Sequence, residues 1–343
     1  MNQMPSPISI ALGADERYVP GLLVTAISIL FNTAPEQPVD FFILDAGITG
    51  KSWRRLQRLI TRYSPLSTLM RLKPDLSLFR DCPSLARGTN SSLSCYARLL
   101  LPELVQRDRL LYFDVDMLVL KDVRELWALG CSHHTAMAVY EPGVTLARDC
   151  SWLASDDPDR QLPYFNSGAM VLNLAAWRAH GHTATVTRLV REHGKRMVTH
   201  DQTVLNYLLR HETGQLDVSW NCFCVGDMPA AVYMNPAGLV VHITHSKPWL
   251  TFKNLPGCLL WLMFYNRYVG TIPATLRFGL LWRTWKWSNF RSVLRILLES
   301  CLLKAGPPAR RLLQFWLDHS PEHQIKAHWL RIWRAKDVMR QPS

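Results

Sequence analysis

The sequence predicts an α/β fold built on a mostly parallel, doubly wound sheet. Short apolar runs alternate, up to about residue 250, with segments whose apolar residues recur at helical spacing, and this alternation is typical of parallel sheets covered by helices. The chain has 343 residues, 48% hydrophobic and 19% charged, so one large domain or two ordinary ones can bury a sizeable core. Ligands of such sheets bind beyond the carboxyl ends of the strands, so polar residues that follow strands are the candidates for function.

The first part of the chain supplies alternating strands and helices. The apolar runs SPISIALGA, VDFFILDAG and STLMRLK have strand length, and the segments ERYVPGLLVTAISILFN and SWRRLQRLITRYS between them show helical spacing. A polar loop follows, from Pro74 to about Asn90. We then expect a helix over LSCYARLLLPELVQ, which Pro102 kinks or ends because its ring clashes with the preceding turn.

The second part continues the same alternation. We expect strands over RLLYFDVDMLVL and TAMAVYEP, and a strand that runs into a helix over SGAMVLNLAAWRAHG. THDQTVLNYLLRHE is predicted as a helix that opens after Thr199, and GLVVHITHS as the final strand. From about Leu250 the helical patterns become basic and rich in Trp, in LRFGLLWRTWKWSNFRSVLRILLESCLLKAG, ARRLLQFWLDH and IKAHWLRIWRAKDV.

Two carboxylates interrupt the strand predicted over RLLYFDVDMLVL. Asp114 and Asp116 stand two residues apart between apolar neighbours, and positions two apart in a strand point to the same face. Burying unpaired charges is costly, so a divalent cation that prefers oxygen ligands, such as Mg²⁺ or Mn²⁺, would compensate. The alternative is a strand that ends at this point, with both carboxylates in water or capping the next turn.

The positive charge is concentrated near the carboxyl end. The formal net charge is +12, and residues 271–343 carry 13 Lys and Arg against 4 Asp and Glu. Six of the 13 Trp also follow residue 270. Helices that interleave Trp and Leu with basic residues suit an anionic membrane surface. The alternatives are a helical cap that packs its Trp side chains on the rest of the protein, and nucleic-acid binding, for which the sequence has no motif.

The cysteines and the amino-terminal segment indicate a cytosolic protein. The eight Cys are scattered, with no CxxC pair, which disfavours a structural zinc site and indicates reduced thiols that serve as small buried hydrophobes. The first residues lack a basic region and a long apolar run, so we expect no signal peptide. No apolar run reaches 18 residues, and PGCLLWLMFYNRYVG is too short to cross a bilayer.

Several motifs, in order along the chain, resemble those of glycosyltransferase family 8, which includes bacterial lipopolysaccharide galactosyl- and glucosyltransferases and glycogenin-like enzymes. They are GADERY, SLSCYARLLLPEL, YFDVD, YFNSGAMVLNLAAWR, HDQTVLN and VVHITHSKPW. The resemblance covers about residues 8–250. In the last motif the chain has one residue fewer between His242 and Lys247 than the family pattern, and lacks its Gly.

The resemblance implies a GT-A type, Rossmann-like nucleotide-binding fold and a set of site residues. It implies Asp114, Asp116 and His242 as metal ligands. It implies a nucleotide-sugar site made by Ala14, Asp15, Tyr18, Arg98, Asp114, Val115, Asn166, Ser167, Asp201 and Lys247. It implies Gln202, Asp201 and Glu141 beside the reacting sugar. Taken without the resemblance, Asp15 and Asp201 equally suit helix caps, Arg98 a surface helix, and Glu141 a loop.

The implied activity is the transfer of glucose or galactose from a UDP-sugar to a saccharide acceptor, with Mn²⁺ or Mg²⁺ and with retention of configuration. The acceptor class implied is a lipopolysaccharide core or another cell-surface glycan, made by a peripheral enzyme on the inner face of a bacterial cytoplasmic membrane. The expected division is a catalytic domain over residues 1–250 and a basic helical segment over 251–343. The alternatives are a capsule, exopolysaccharide or protein-linked glycan enzyme, a non-catalytic nucleotide-sugar-binding protein, and a membrane-surface interaction protein.

Overall fold

The structure is a computed structural model that describes residues 5–82, 93–223, 230–235, 237–244, 247–250, 256–270 and 321–339. Every structural statement below concerns these residues. Two of the three basic, Trp-rich helices expected after residue 270, and His245 and Cys224, lie outside them.

Ten strands form two sheets. The strands are β1 Ile8–Ala14, β2 Val39–Asp45, β3 Thr68–Leu72, β4 Arg109–Phe113, β5 Met117–Val119, β6 Ala136–Thr145, β7 Pro163–Asn173, β8 Thr213–Gln215, β9 Cys222–Phe223 and β10 Val240–His242. The larger sheet has the order β3-β2-β1-β4-β7-β6-β8, and the smaller has the order β5-β10-β9. In the larger sheet only β4–β7 and β6–β7 are antiparallel, which confirms the predicted mostly parallel α/β fold.

Ten α-helices accompany the strands in the described part of the chain. They are α1 Val19–Asn32, α2 Gly50–Tyr63, α3 Leu101–Leu104, α4 Val123–Leu129, α5 Leu174–Ala179, α6 His182–His193, α7 Asp201–Leu208, α8 Ala230–Tyr233, α9 Pro256–Phe264 and α10 Pro321–Met339. The helix α2 shows the expected amphipathic pattern, because Leu56, Leu59 and Ile60 are buried while Arg54, Arg58 and Arg62 are exposed. The last predicted basic helix corresponds to α10.

The strand predicted over residues 109–120 is wrong in one respect: it is two strands. β4 ends at Phe113 and pairs in the larger sheet, whereas β5 begins at Met117 and pairs with β10 in the smaller sheet. Residues 114–116 form the turn between them, so the two carboxylates do not share the face of one strand. The apolar residues on both sides gave a continuous strand pattern because each short strand is buried in its own sheet.

Other expected elements also differ in detail. The helix predicted over residues 93–106 is mainly a 3₁₀ helix, Ser94–Leu100, and Pro102 lies in the first turn of α3, where its missing N–H costs no hydrogen bond. A 3₁₀ turn, Glu16–Tyr18, precedes α1. The final strand is shorter than expected, and the short strands β8 and β9 were not predicted because two or three residues carry no periodic pattern.

The chain divides into two compact units. The first comprises residues 1–22, 36–115 and 122–221, and holds the larger sheet. A buried apolar cluster in this unit includes Ala11, Tyr96, Tyr112, Met170 and Trp177.

The second unit comprises residues 23–35, 116–121 and 222–343, and holds the smaller sheet. In it the ring of Phe31 contacts those of Phe264 and Tyr268, at centroid distances of 5.9 and 4.4 Å. Trp329 and Trp333 of α10 are buried, and Trp329 Nε1 donates to the carbonyl of Tyr233 at 2.6 Å. In this helix, therefore, the two Trp side chains pack inside the unit, as the helical-cap alternative expects.

The described cysteines fit the expected role of small buried hydrophobes. Free thiols occur at Cys82, Cys95, Cys131, Cys150, Cys222 and Cys258, and all six are buried. Among the described residues, no helix combines the length and the apolar character needed to cross a membrane.

Candidate active site

Arg98 is the centre of the polar cluster in the first unit. Its guanidinium is buried, and Nη2 donates to Asp114 Oδ1 at 2.6 Å. Its Nε lies 2.7 Å from Asp201 Oδ2, an ion pair whose direction does not suit a hydrogen bond. Its Nη1 donates to the carbonyl of Ser167 at 2.7 Å. The planar fork of five N–H donors thus joins three segments that are distant in sequence.

Asp114 follows β4 directly, at the carboxyl end of that strand. Tyr112 Oη donates to its Oδ1 at 3.0 Å, and the ring of Tyr112 lies under the Arg98 guanidinium, 4.2 Å from ring centroid to Cζ. The backbone N–H of Asp114 donates to the carbonyl of Gly168 at 2.7 Å. Since β1 and β4 are parallel neighbours, Asp15 and Asp114 follow their strands at the same edge of the sheet.

Asp201 opens α7 and is buried. Burial raises the pKa of this carboxyl to about 6, with a further contribution from the charge of Asp114, and the Arg98 guanidinium offsets part of that rise. The preceding residue, His200, has a positive φ of 59°, which among non-glycine residues is uncommon and strained. The chain therefore changes direction at His200, directly before α7, and the first turn of this helix carries both Asp201 and Gln202.

Gln202 joins β7 to Glu141. Its Oε1 accepts from the backbone N–H of Ser167 at 3.0 Å and from Ser167 Oγ at 3.2 Å. Its Nε2 donates to Glu141 Oε1 at 3.1 Å, and Asn166 Nδ2 donates to the same oxygen at 3.4 Å. The amide of Gln202 is thus oriented by fixed donors and acceptors on both sides.

Arg148, which is itself paired with Asp149, holds Glu141. Arg148 Nη1 donates to Glu141 Oε2 at 2.7 Å, and Arg148 Nε lies 3.0 Å from Asp149 Oδ1. Asp149 is buried and also accepts from Tyr164 Oη at 2.6 Å. Sequence reasoning missed Arg148 and Asp149, because their pairing depends on the irregular segment after β6 and no spacing rule relates it to Glu141.

The structure places Ala14, Asp15 and Tyr18 at the end of β1. Ala14 is the last, buried residue of that strand. Asp15 Oδ1 accepts from the backbone N–H groups of Arg17 at 2.9 Å and Tyr18 at 3.2 Å, so Asp15 caps the 3₁₀ turn as the structural alternative expects. The side chain of Arg17 lies 3.4 Å from Asp15 Oδ2.

Asp116, His242 and Lys247 form a cluster in the second unit. His242 Nε2 lies 3.3 Å from Asp116 Oδ1, and the Lys247 ammonium donates to Asp116 Oδ2 and to the carbonyls of Ile243 and Thr244 at 3.0 and 2.9 Å. The backbone N–H of Ile243 donates to the carbonyl of Asp116 at 3.0 Å, which fixes β10 beside the turn. Burial alone would raise the pKa of Asp116, but Lys247 and His242 lower it well below its usual range.

The residues at the turn fit a divalent cation. Val115 is the single buried residue between Asp114 and Asp116, and the ligand atoms of Asp114, Asp116 and His242 all lie within 4.8 Å of one another. Asp116 Oδ1 is buried and accepts no hydrogen bond from the described residues, although a buried carboxylate oxygen normally has a donor. Two carboxylates and one imidazole are ligands that several divalent cations accept, so the side chains fit a divalent cation without selecting one metal.

Most residues expected at the site fall into these two clusters. The first unit joins Arg98, Asp114, Asn166, Ser167, Asp201, Gln202 and Glu141 through direct contacts. The second joins Asp116, His242 and Lys247. Tyr112 and Asn221 were missed: Tyr112 looked like one more apolar strand residue, and Asn221, which donates to Asn166 Oδ1 at 2.9 Å, lies in no motif.

A protein-family profile described as Glycosyl transferase family 8 matches residues 9–253. The match covers more than half of the chain and includes every site residue named above.

Three curated relatives illustrate the similarity. General stress protein A of Bacillus subtilis is 28% identical over 214 residues, which cover 61% of this chain and 71% of that protein. Glycosyltransferase GlyF of Streptococcus pneumoniae is 26% identical over 251 residues, 71% of this chain and 58% of that protein, so this chain spans little more than half of it. A lipopolysaccharide 1,2-glucosyltransferase of Escherichia coli K12 is 26% identical over 253 residues, 71% of this chain and 72% of that protein.

Solved structures share the fold. The galactosyltransferase LgtC, in complex with donor and acceptor sugar analogs, aligns with a TM-score of 0.62 at 21% identity, over 80% of this chain and all of that one. The bifunctional glycosyltransferase WbbM aligns with a TM-score of 0.58 at 19% identity, over 85% of this chain and 53% of that one. At these identities the likeness concerns the fold alone, and it confirms the GT-A type fold.

Proposed function

The chain belongs to glycosyltransferase family 8 and is a glycosyltransferase, and on that premise we propose that it moves a hexose from a UDP-sugar to a saccharide acceptor with a divalent cation and retention of configuration. The observation that carries the proposal is the turn at residues 114–116. It brings two carboxylates and the imidazole of His242 together and leaves one buried carboxylate oxygen without a hydrogen bond.

Asp114, Asp116 and His242 would hold the cation. When bound, a divalent cation stabilises the negative charge that develops on a departing diphosphate. The ammonium of Lys247 forms an ion pair with Asp116. In the proposed complex its ammonium turns from Asp116 to the diphosphate and adds positive charge there.

We assign to Arg98 a role different from the one that the family resemblance implies. Its guanidinium is paired with Asp114 and Asp201 and is buried, so it orients both carboxylates rather than presenting free donors to a phosphate. Asp201 would accept hydrogen bonds from the hydroxyls of the donor sugar. The proposed assignment therefore makes Arg98 a positioning residue.

The hydrogen bonds of Gln202 support a reaction without a covalent enzyme intermediate. The amide oxygen of Gln202 is a poor nucleophile and already accepts two hydrogen bonds from Ser167. Glu141 is held by Arg148 at 2.7 Å, and Asp201 lies beside Arg98 at 2.7 Å. An ion-paired carboxylate is a weakened nucleophile because attack would break its ion pair. We therefore favour attack by the acceptor on the face that the diphosphate leaves, with the leaving phosphate taking the proton of the acceptor hydroxyl.

The names of the relatives guide the choice of donor and acceptor. A lipopolysaccharide glucosyltransferase and a galactosyltransferase are among the similar proteins, so UDP-glucose and UDP-galactose are the proposed donors. A lipopolysaccharide core or another cell-surface saccharide is the proposed acceptor. Asp15 and Tyr18, at the end of β1, would receive the uracil, and Ala14, Asn166 and Ser167 would line the rest of the donor site.

The test is UDP release from a panel of UDP-sugars, with Mn²⁺ and with EDTA. We expect turnover of UDP-glucose or UDP-galactose that EDTA abolishes and added Mn²⁺ restores. Binding of a UDP-sugar with no turnover in the presence of any saccharide acceptor would support the alternative of a non-catalytic binding protein. Turnover that EDTA leaves unchanged would contradict the metal assignment.

Peripheral association with an anionic membrane is a further part of the proposal, which assigns catalysis to residues 1–250 and the membrane contacts to residues 251–343. It rests on the excess of basic residues after residue 270 and on the exposed Arg331 and Arg334 of α10. Each basic residue near an anionic surface contributes about 1 kcal/mol. Co-sedimentation of the full chain with phosphatidylglycerol vesicles should fall when both arginines are changed to Gln. The same change at Arg188 and Arg191, exposed on α6, is the control and should leave it unchanged.

A further inference from the structure

We propose that His180, His182 and Glu212 form a zinc site distinct from the cation site at the turn. The ligand atoms of these three side chains all lie within 4.8 Å of one another in the first unit. His180 Nδ1 lies 2.9 Å from Glu212 Oε2, and His182 Nε2 lies 3.0 Å from the same oxygen. Neither the family resemblance nor the proposed reaction uses any of the three.

The local backbone explains why the two imidazoles converge. His180 follows α5 and His182 begins α6, with Gly181 between them at a φ of +66°. This left-handed conformation favours glycine and makes the chain reverse between the helices. The His-Gly-His corner is therefore a fixed turn, and its two rings meet edge to face at 5.3 Å.

The third ligand is equally well fixed. Glu212 lies in the turn between α7 and β8, where its carbonyl accepts from the backbone N–H groups of Thr135 and Ala136 at 2.9 and 3.3 Å. The hydroxyl of Thr135 donates to the carboxylate itself. Burial alone would raise the pKa of Glu212, but the hydrogen bonds from Thr135, His182 and His180 lower it to about 2. Such partners orient a ligand in the way that supporting residues around metal sites do.

The donor set and its spacing fit zinc. Two imidazole nitrogens and one carboxylate oxygen form a three-ligand set that leaves a fourth position for water. With metal–ligand distances of about 2.0–2.2 Å in a tetrahedron, ligand atoms lie roughly 3.3 Å apart. The observed separations of 2.9 and 3.0 Å need to widen by only a few tenths of an ångström.

Three side chains of the cluster share one acceptor atom. Two imidazoles and one hydroxyl all point at the single oxygen Glu212 Oε2. A hydrogen-bonded cluster requires an N–H on both facing nitrogens, whereas a cation uses their lone pairs and separates them. One ion at the centre would thus satisfy all three side chains.

Solvent can reach the cluster from one side. The side chain of His182 is 9% exposed and its ring meets the edge of Trp177 at 5.5 Å, while the side chains of Glu212 and His180 are 30% and 51% exposed. The buried ring of His182 is held in place by its neighbours, and the exposed side of His180 gives an ion access from solvent. An ion there would tie the corner between α5 and α6 to the start of β8.

The test is zinc binding by the full, EDTA-treated chain, measured as bound metal after dialysis and as the rise in melting temperature on adding Zn²⁺. Zinc that binds only the folded chain raises its stability as its concentration exceeds Kd. We expect His180→Ala and His182→Ala to bind one zinc ion fewer per chain than the unmodified chain and to show a smaller rise in melting temperature. His193→Ala is the matched control, because His193 lies outside the cluster, 3.8 Å from Glu192. This variant should bind as much zinc as the unmodified chain.

A second variant separates the two cation sites. Asp116→Asn should keep the zinc that the histidine variants lose, whatever its effect on transfer activity. His180 is the more exposed ligand, so its substitution tests the site even if His182→Ala fails to fold. Equal zinc content in His180→Ala and the unmodified chain would overturn the proposal and leave the cluster a hydrogen-bonded one.

Discussion

At the residue scale, the site depends on how Arg98 balances two carboxylates. Asp114 and Asp201 both lie within 2.7 Å of its guanidinium, but they differ in burial. Asp114 keeps a side chain that is 24% exposed, while Asp201 is 6% exposed. Burial therefore disfavours the ionised form of Asp201 more than the single arginine stabilises it.

Asp201 should make stability depend on pH. Its pKa of about 6, above the ordinary 3.8, means that the folded chain binds this proton more tightly than the unfolded chain does. Below the pKa of the unfolded chain, the protonated Asp201 carboxyl contributes roughly 3 kcal/mol to the free energy of unfolding. This contribution is lost as the pH rises through about 6. In Asp201→Asn, urea unfolding of the metal-free protein should show that this loss is absent. A stability difference between the two proteins that stays constant from about pH 4 to about pH 7 would contradict this assignment.

Asp116 should control the dependence on the metal. Asn preserves the size of the side chain and keeps an oxygen that can accept from Lys247, whereas Ala would remove that acceptor as well as the charge. Asp116→Asn should abolish the response to Mn²⁺ and reduce turnover by about 10³-fold, or about 4 kcal/mol. UDP release with and without EDTA measures this. Asp122→Asn makes the same chemical change at the cap of α4 and should retain turnover. Normal turnover by Asp116→Asn would refute the role as ligand.

At the element scale, the turn between β4 and β5 places the carboxylates. β4 belongs to the larger sheet and β5 to the smaller one, so the chain must leave one sheet and enter the other between Phe113 and Met117. The contact of Asp116 with β10 depends on the close approach of the segment before β10 to Leu120. The backbone N–H of Leu120 donates to the carbonyl of Leu239 at 2.9 Å.

Gly238 is the residue that permits this approach. Its φ is +79°, and a Cβ there would lie 2.2 Å from the carbonyl oxygen of Leu120, which is backbone and cannot move aside. Gly238→Ala should therefore displace β10 and reduce both stability and Mn²⁺ binding. Gly47→Ala is the matched control, with a φ of +118° and nothing within 4 Å. Urea unfolding should show Gly238→Ala to be at least about 2 kcal/mol less stable than the control. Equal stability of the two variants would show that the chain can relax there.

At the scale of the whole molecule, residues distant in sequence build the second unit. It combines part of α1, the strand β5 and the segments after residue 222. In it, Lys336 Nζ of α10 donates to Asn32 Oδ1 at 2.7 Å, and Arg267 Nη2 donates to Asp337 Oδ2 at 2.5 Å. The helices after residue 250 thus contribute to the core around the end of α1.

Removal of residues 251–343 should therefore destabilise the protein as well as remove basic charge. It takes away Trp261, Phe264, Trp329 and Trp333, which are all buried, and exposes Phe31. Burying one large apolar side chain contributes about 1.5–3 kcal/mol. We expect the truncated chain to aggregate in gel filtration or to melt at a lower temperature. Removal of residues 340–343 alone is the control and should have no effect. An unchanged melting temperature after the longer truncation would instead favour an independent domain that ends at residue 250.

The sequence by itself determined the fold class, the order of the main elements and the candidate residues. Strands such as β1 and β2 are buried from end to end, and amphipathic helices such as α2 expose one face, so their periodicity is visible without the structure. The paired carboxylates Asp114 and Asp116 are visible in the sequence by residue type and spacing, and the family resemblance added the motifs around Asn166 and Gln202.

Only the tertiary structure decided which partners these residues have. Whether residues 109–120 form one strand or two depends on which sheet pairs with each half, and hydrogen bonds between distant segments leave no local pattern. For the same reason Arg98 proved to be a buried partner of two carboxylates, and His180 and His182 meet Glu212 some thirty residues further along the chain. The sequence gives the chemical groups of the side chains. The energy of an ion pair or a cation site depends on distances and burial that arise only when the chain has folded.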